Sequence, residues 1–503
     1  MILTNALKKI PHLFLISSLA KKRQINIWLV GGFLRDIYFQ PKADSRLPSG
    51  TAPQAKKKNK KLTDFDFCVE SNVISIVKEF AKKISSKFIV LDESQGAYRV
   101  ILKKKGKIYT YDFTALRGKD FCDDLSLRDF SINTLAVNLN KRGRKLIDCF
   151  TARGDLRRKI IRIIKEEVLA QDPLRILRGF SFMALLGFRI EKKTQKLMCK
   201  FKKFLENVSG ERVNEELFKI LSCRRSYPVI KKMDELRIID EIIPYIDEAR
   251  GVSQGGYHHL DVWSHSLETL RQFELFYRKK LVRNSEILSY LNEELAQGRQ
   301  RIQIVKLACI LHDIGKSFAR QKKGKKTIFH THEKIGRDLA GIIAHKLRLS
   351  LREKEVLKKL IYWHLRPGYL ADQAVPSQRA IYHFFRDAED EGVGVILVSL
   401  SDWRATRGPL IDLKKRKKHE KVMLKLIDYY FQEKKRVPLH KIVDGYDIMK
   451  KFNLTPGPLI GKILKKIKEE QALGKISAKR EAYKIAKTHL HLRGASGGAR
   501  EEK

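Results

Sequence analysis

The chain has 503 residues, room for about three or four domains of ordinary size, and its 43% hydrophobic content rules out disorder over the whole length. Lysine and arginine total 104 against 57 acids, a formal net charge of +47, which points to a polyanionic partner such as nucleic acid or an anionic membrane surface. Six cysteines (68, 122, 149, 199, 223 and 309) form no C-x-x-C pair, which argues against a zinc ribbon or a disulfide framework and fits a reducing cytosol. No apolar run approaches the ~20 residues of a membrane helix, so a cytoplasmic protein is expected.

The opening MILTNALKKIPHLFLISSLAKK sets lysines ahead of a short apolar stretch, as a signal peptide does. Pro11, Ser17, Ser18 and the return to Lys21-Lys22-Arg23 fit an amphipathic helical start better. Runs at 27–30, 65–69, 88–91, 99–102, 107–113 and 135–139 read as strands among helical segments, an α/β or α+β domain over residues 1–150. Inside it, PKADSRLPSGTAPQAKKKNKK (41–61) lacks periodicity and reads as a flexible insertion. Beyond 150 nearly every segment has helical period, so the fold class is α+β with a mainly helical remainder. Pro244, the glycine-rich 252–256 and Pro438 divide that remainder into 151–250, 251–430 and 431–490, before a disordered tail at 491–503.

Gly31-Gly32 follow the first strand and open a helix over FLRDIYF. Such a turn lets a phosphate approach the backbone, and a helix start offers N–H donors, although a Gly-Gly turn is more often merely tight. Gly315-Lys316-Ser317 imitates the end of a P-loop, but Ile310 stands where that motif requires glycine. In LTDFDF, residues two apart on a strand share a face, so Asp64 and Asp66 point together while Phe65 and Phe67 face the opposite layer. Paired carboxylates repel unless cations neutralise them, and a two-metal clamp with ions about 3.5–4 Å apart is the natural use; an exposed face with ordinary acids is the plain alternative. Asp112 in YTYDF offers a further ligand, and DLSLRDFSIN (124–133) sets charged and amide groups ahead of an apolar strand. In QDPLRILR, Asp172 is expected to cap a helix with Pro173 at its first position, placing Arg175 on the same face. A carboxylate accepts hydrogen bonds and a guanidinium donates them. Cytosine and adenine each present an amino donor beside a ring-nitrogen acceptor, so this pair could accept C and A and reject U and G; a cap with a surface ion pair is the bland account.

In order and spacing, GGFLRD, TDFDF, DLSLRDFSIN and QDPLRILRGFSFMALLGF resemble the class II tRNA nucleotidyltransferase and bacterial poly(A) polymerase family, over roughly the first 220 residues. The resemblance implies a polymerase-β-like nucleotidyltransferase palm over 1–150 and a helical neck over 151–250. In that palm Asp64 and Asp66 would hold two Mg²⁺, with Asp112 the third catalytic carboxylate. Gly31, Gly32 and Arg35 would hold the triphosphate, and Arg128, Asp129 and Asn133 would contact sugar and phosphates. Asp172 and Arg175, with Arg178 beside them, would read the base of an incoming CTP or ATP, and the partner would be tRNA. The chain departs from the family at Leu127, where a second arginine is usual, and at Gln171, where glutamate is usual. The link from YDFTALRG to DDLSLRD is very short, which in this family accompanies enzymes that add only CC.

A second constellation spans residues 258–402: His259, His265, the pair His312-Asp313, His332, His364 and Asp402. Imidazole and carboxylate ligands suit Mg, Mn, Fe, Ni or Zn, and four or more such residues bracketing helices are hard to explain as separate structural histidines. The segments H-x-L-D-V-W-x-H, L-x-H-D-I-G-K, H-x-x-x-G from His332 to Gly336, and Ser401-Asp402 resemble the HD phosphohydrolase superfamily. The resemblance implies His265, His312, Asp313 and Asp402 as metal ligands, with His332 and His364 a second pair or phosphate contacts. It further implies phosphatase and 2′,3′-cyclic phosphodiesterase action.

Within 431–490, DGYDIM and LTPGPLIGK resemble the C-terminal element of the HD-bearing members, where a helix start could meet RNA phosphate or simply pack on the body. Lysine clusters at 56–61, 103–107, 322–326 and 414–418 fit a spread phosphate-binding surface. The expectation is an enzyme adding C or CCA to tRNA 3′ ends without a template, with poly(A) polymerase as the near alternative. A phosphohydrolase whose palm only binds RNA is the alternative from another class.

Overall fold

The computed structural model describes residues 2–39, 62–104, 106–141, 143–255, 259–279, 281–324, 326–373, 375–409, 412–435 and 440–497. The insertion read at 41–61 and the boundary at Pro438 lie outside the described residues. Two compact units make up the chain: 1–248 with 278–303 and 342–351, and 249–277 with 304–341 and 352–503.

The first unit is built on a seven-stranded mixed sheet. Its strands are β1 (Ile27–Val30), β2 (Leu62–Val69), β3 (Phe88–Asp92), β4 (Ala97–Lys104), β5 (Lys107–Ala115), β6 (Ala136–Asn138) and β7 (Leu146–Ile147), in the order β3-β4-β5-β2-β1-β6-β7. Only β2 and β5 run parallel, with Asp66 beside Asp112 and Asp64 beside Thr110. The alternation of LTDFDF decides the layering. Phe65 and Phe67 are buried against Tyr111 and Phe113, and Phe80 of the helix Val73–Lys83 meets both β5 rings edge-on. Truncating Phe67 would open a cavity at the sheet centre costing about 3–5 kcal/mol. The N-terminal segment forms two helices, Ile2–Leu7 and Leu13–Lys22, broken after Pro11 at His12, whose φ is 59°.

The expectation of unpaired cysteines is corrected in one place: Cys122 and Cys149 form a disulfide, while Cys68, Cys199, Cys223 and Cys309 are thiols. The two lie 27 residues apart with no local spacing signal. Packing unites them: Phe121 stacks on Trp28, and Cys149 and Phe150 join the same apolar cluster.

The helical part of this unit includes Glu167–Gln171, Leu174–Leu186 and Gly210–Leu221. Asp172 is expected from sequence to cap the second of these with Pro173 at its first position; instead Pro173 is the cap residue and makes no side-chain cap bond. The helix begins at Leu174, and Asp172 is extended (φ −142°, ψ 92°) because a residue before proline is disfavoured in the helical region.

The second unit is helical apart from a small hairpin, Gln321–Lys323 with Lys326–Ile328. Its C-terminal helices Gly445–Phe452, Pro458–Ala472 and Lys479–Gly497 enclose Ile448, Ile460, Ile463, Ile467, Ala482 and Ala486. Residues 491–497, expected as disordered tail, instead continue the last helix. Extending an existing helix adds one hydrogen bond per residue fixed, and Leu492, Arg493 and Ala495 are good formers. Among the described residues no helix is long and apolar enough to cross a membrane.

Candidate active sites

In the first unit, β1 delivers Gly31 at a positive φ of 82°, a conformation that strains any side chain. A Cβ there would stand 3.1 Å from Asp66 Oδ2, so backbone, Asp66 and the nearby Arg128 guanidinium crowd one spot. The face of β2 and β5 opposite the phenylalanines carries Asp64, Asp66 and Asp112. Thr110 donates its hydroxyl hydrogen to Asp64. Asp112 accepts from Arg99 Nε at 2.7 Å and Nη2 at 2.6 Å, a bidentate pair across the β4–β5 register. Burial raises the Asp66 carboxyl to about 6; Arg128 opposes the rise, while Asp112 and Asp64 add to it. That is the signature of a carboxylate face short of positive charge, and oxygen-only ligands suit Mg²⁺.

A bonded chain leads away from this face. Arg35, in the helix Gly32–Tyr38, donates from Nη1 to Asn133 Oδ1 (2.9 Å), and Asn133 Nδ2 donates to Asp129 Oδ1 (2.9 Å). Asp129 Oδ2 lies 2.9 Å from Arg178 Nη2, on the Leu174–Leu186 helix. Burial alone would raise the Asp129 carboxyl, but Arg178, Asn133 and the Phe130 N–H hold it below the usual carboxylate range. Arg128 approaches buried Asp124 at 3.6 Å. Arg175 Nη1 donates to the Leu127 carbonyl (3.0 Å), and Asp172 is held by Arg212. Gly31, Asp66 and Arg128 therefore meet, as do Arg35, Asn133, Asp129 and Arg178. Sequence reading missed Arg99, Thr110 and Arg212; only the i, i+2 spacing of Thr110 and Asp112 hinted at a shared face.

In the second unit, five chain segments converge. His265 lies on the helix Val262–Lys279, His312 and Asp313 follow Arg301–Leu311, and His332 opens His332–Lys346. His364 follows Leu351–Trp363, and Asp402 lies near the end of Gly392–Ala405. Ligand atoms of His265, His312 and Asp402 lie within 4.8 Å of one another, as do those of Asp313, His332 and His364. This regroups the expected set, because Asp313 faces both halves. Its Oδ2 is 3.2 Å from His312 Nε2, and its Oδ1 is 3.5 Å and 3.7 Å from the Nε2 atoms of His332 and His364. His259 is exposed.

The tautomers follow from local geometry. Nδ1 of His312, His332 and His364 faces the carbonyls of Cys309 (3.1 Å), Phe329 (2.7 Å) and Ile361 (2.6 Å), each three residues back. A carbonyl only accepts, so each Nδ1 carries the hydrogen and Nε2 points inward. Those three Nε2 atoms and Asp313 Oδ1 are buried with no hydrogen-bond partner, which a bound cation would supply. Burial would lower the His312 imidazole, but Asp313 and Asp402 outweigh it and raise it to about 10; a divalent cation is the alternative to that extra proton. Burial, then the charge of His312, lowers His364 to about 3, leaving it a neutral ligand. Lys316 Nζ fixes Asp313 Oδ2 at 2.7 Å and Gln254 Oε1 at 2.7 Å. Gly315 is required here, since a Cβ would meet the His332 carbonyl at 2.2 Å.

Three family profiles match the chain: "Poly A polymerase head domain" over 27–162, "Probable RNA and SrmB- binding site of polymerase A" over 187–250, and "HD domain" over 262–407. An A-adding tRNA nucleotidyltransferase of Deinococcus radiodurans is 28% identical, covering 78% of this chain and 83% of its own. A CC-adding tRNA nucleotidyltransferase of Thermus thermophilus is 26% identical over 88% and 93% of the two chains. Among solved structures, a CCA-adding enzyme with ATP aligns over 97% of this chain and 98% of its own, with TM-score 0.63 and 18% identity. The Thermotoga maritima CCA-adding enzyme with tRNA aligns with TM-score 0.61 and 19% identity over the same shares, a likeness of fold.

Proposed function

We infer, for a chain that belongs to the tRNA nucleotidyltransferase and poly(A) polymerase family and carries an HD domain, that its first unit adds C or A residues to tRNA 3′ ends. The nucleotides are CTP and ATP, and no nucleic-acid template is needed. One observation carries this reading: the acidic face of β2 and β5 stands beside Gly31, from which the chain Arg35–Asn133–Asp129–Arg178 leads to the neck helix.

Asp64, Asp66 and Asp112 would hold Mg²⁺, which when bound supplies charge stabilisation to the attacking and leaving oxygens. The primer's 3′ hydroxyl gives up its proton to solvent as its oxygen bonds to the α-phosphorus, and the α–β phosphoanhydride bond breaks with its electron pair leaving on pyrophosphate. Gly31, Gly32 and Arg35 receive the triphosphate, and Arg128, Asp129 and Asn133 line the sugar and phosphates. Arg178, tied to Asp129, couples that contact to the helix carrying Arg175. Asp172 accepts from the base's amino group and Arg175 donates to its ring nitrogen. In the second unit, the two histidine–aspartate groups support metal-dependent hydrolysis of phosphate esters, including 2′,3′-cyclic phosphates at RNA ends. The ligand set accepts Mg²⁺, Mn²⁺, Fe²⁺ or Ni²⁺.

The test supplies tRNAs ending before the terminus, after one C and after two, each with a single labelled triphosphate and Mg²⁺, and sequences the products. Short, defined addition of C or A without U or G is the expected result. Long adenylate tracts on any RNA would mean a poly(A) polymerase, and no incorporation at all would make the palm an RNA-binding platform.

A further inference from the structure

We propose that Arg212 is the positioning residue for base selection, fixing the Asp172 carboxylate as the acceptor half of the base-reading pair. The proposal rests on the reading of Asp172 and Arg175 as that pair. Asp172 has no helix of its own to set its side chain. It lies on the extended link between Glu167–Gln171 and Leu174–Leu186, a quarter exposed. Arg212 Nη2 reaches both of its oxygens, at 3.1 Å and 3.0 Å. Arg175 is anchored elsewhere, on the Leu127 carbonyl, and Arg178 is spent on Asp129. Each half of the pair is thus held by a group outside it, so neither anchoring bond consumes the partner that must meet the base.

Capacity permits this. A carboxylate has about four lone-pair sites, and one nitrogen donating to both oxygens leaves sites to accept an amino hydrogen. Delivery is rigid as well. Arg212 sits in the first turn of Gly210–Leu221, where a Cβ on Gly210 would meet the Lys346 carbonyl at 2.1 Å. Asn214 Nδ2 donates to the Leu347 carbonyl at 2.9 Å, and Val213 and Leu217 are buried. Arg212 itself is half exposed, so its truncation should cost little stability.

The experiment measures kcat/KM for CTP and UTP on tRNA primers with the wild type, Arg212→Ala, Arg212→Lys and Arg175→Ala, alongside each Tm. Arg212→Ala should lower the C-over-U preference by about tenfold or more with Tm within about 2 °C of the wild type. Arg212→Lys should restore most of it, because a single ammonium can replace a single contacting nitrogen. An unchanged preference in Arg212→Ala, with the preference lost in Arg175→Ala, overturns the proposal and leaves the pair standing. A loss in Arg212→Ala that lysine fails to rescue and that accompanies a fall in Tm also overturns it, as a structural role. If neither alanine variant moves the preference, the reading of the pair itself fails.

Discussion

The acidic face of β2 and β5 and the histidine cage of the second unit are opposite kinds of polar cluster. On the sheet, two of the three acids already have protein partners: Arg99 on Asp112 and Thr110 on Asp64. Asp64 is exposed, while Asp66 is buried enough to be pushed up to about 6. In the cage, three imidazoles are turned inward by bonds to carbonyls of their own turns, and their Nε2 atoms are buried without partners. Those ring directions are set by bonds within the protein. The contrast is one of partners: the sheet acids are tied to protein donors, whereas the cage presents buried ring nitrogens with no protein hydrogen bond.

The largest effect should come from the sheet. Asp66→Ala should cut nucleotide addition by about a thousandfold, equivalent to ~4 kcal/mol of barrier, while tRNA binding by gel shift stays within a few-fold. Near-normal extension with Mg²⁺ present would break the comparison at its first term. The double variant His312→Ala, Asp313→Ala should lose bound metal and 2′,3′-cyclic phosphodiesterase activity yet still extend tRNA; loss of extension in a folded double variant would show that the sites are not separate. A finer test of the cage is Lys316→Met, which removes the donor on Asp313 Oδ2. Metal affinity at the cage, read by competition with a chelating dye, should weaken about 10–100-fold, and an unchanged value would make Lys316 a bystander. The smallest effect concerns the sheet acids. Arg99→Ala frees a partly exposed ion pair, so the Mg²⁺ concentration for half-maximal extension should fall about two- to fivefold. A rise instead would make Arg99 a support of Asp112 rather than a competitor for it.

Legibility in the sequence tracked the range of each interaction. The alternation in LTDFDF was enough to place Phe65 and Phe67 inside and Asp64 and Asp66 outside, because a strand's period needs no partner to be read. The adjacent His312-Asp313 was equally plain, yet the division of its ligands was not. Asp313 splits its two oxygens between groups, a matter of side-chain direction that adjacency does not encode. Arg99 could be matched to Asp112 only once the β4–β5 register was known. Arg212 is 40 residues from Asp172, and Cys122 is 27 from Cys149; neither pairing leaves a local mark. At Asp172 local reasoning was off by a single residue, which moved a helix start and turned an expected cap into an acid held from outside.

The bond from each inward-turned imidazole to the carbonyl three residues back has a consequence for the history of such a chain. The orientation of each of these three imidazoles is set within a tetrapeptide of its own: 309–312, 329–332 and 361–364. Replacing one of these histidines deletes one ligand and leaves the bonds that aim the other two as before. Descent can therefore erode the histidine–aspartate centre one ligand at a time under the cover of an intact shell, and an engineer can restore it by the same small steps.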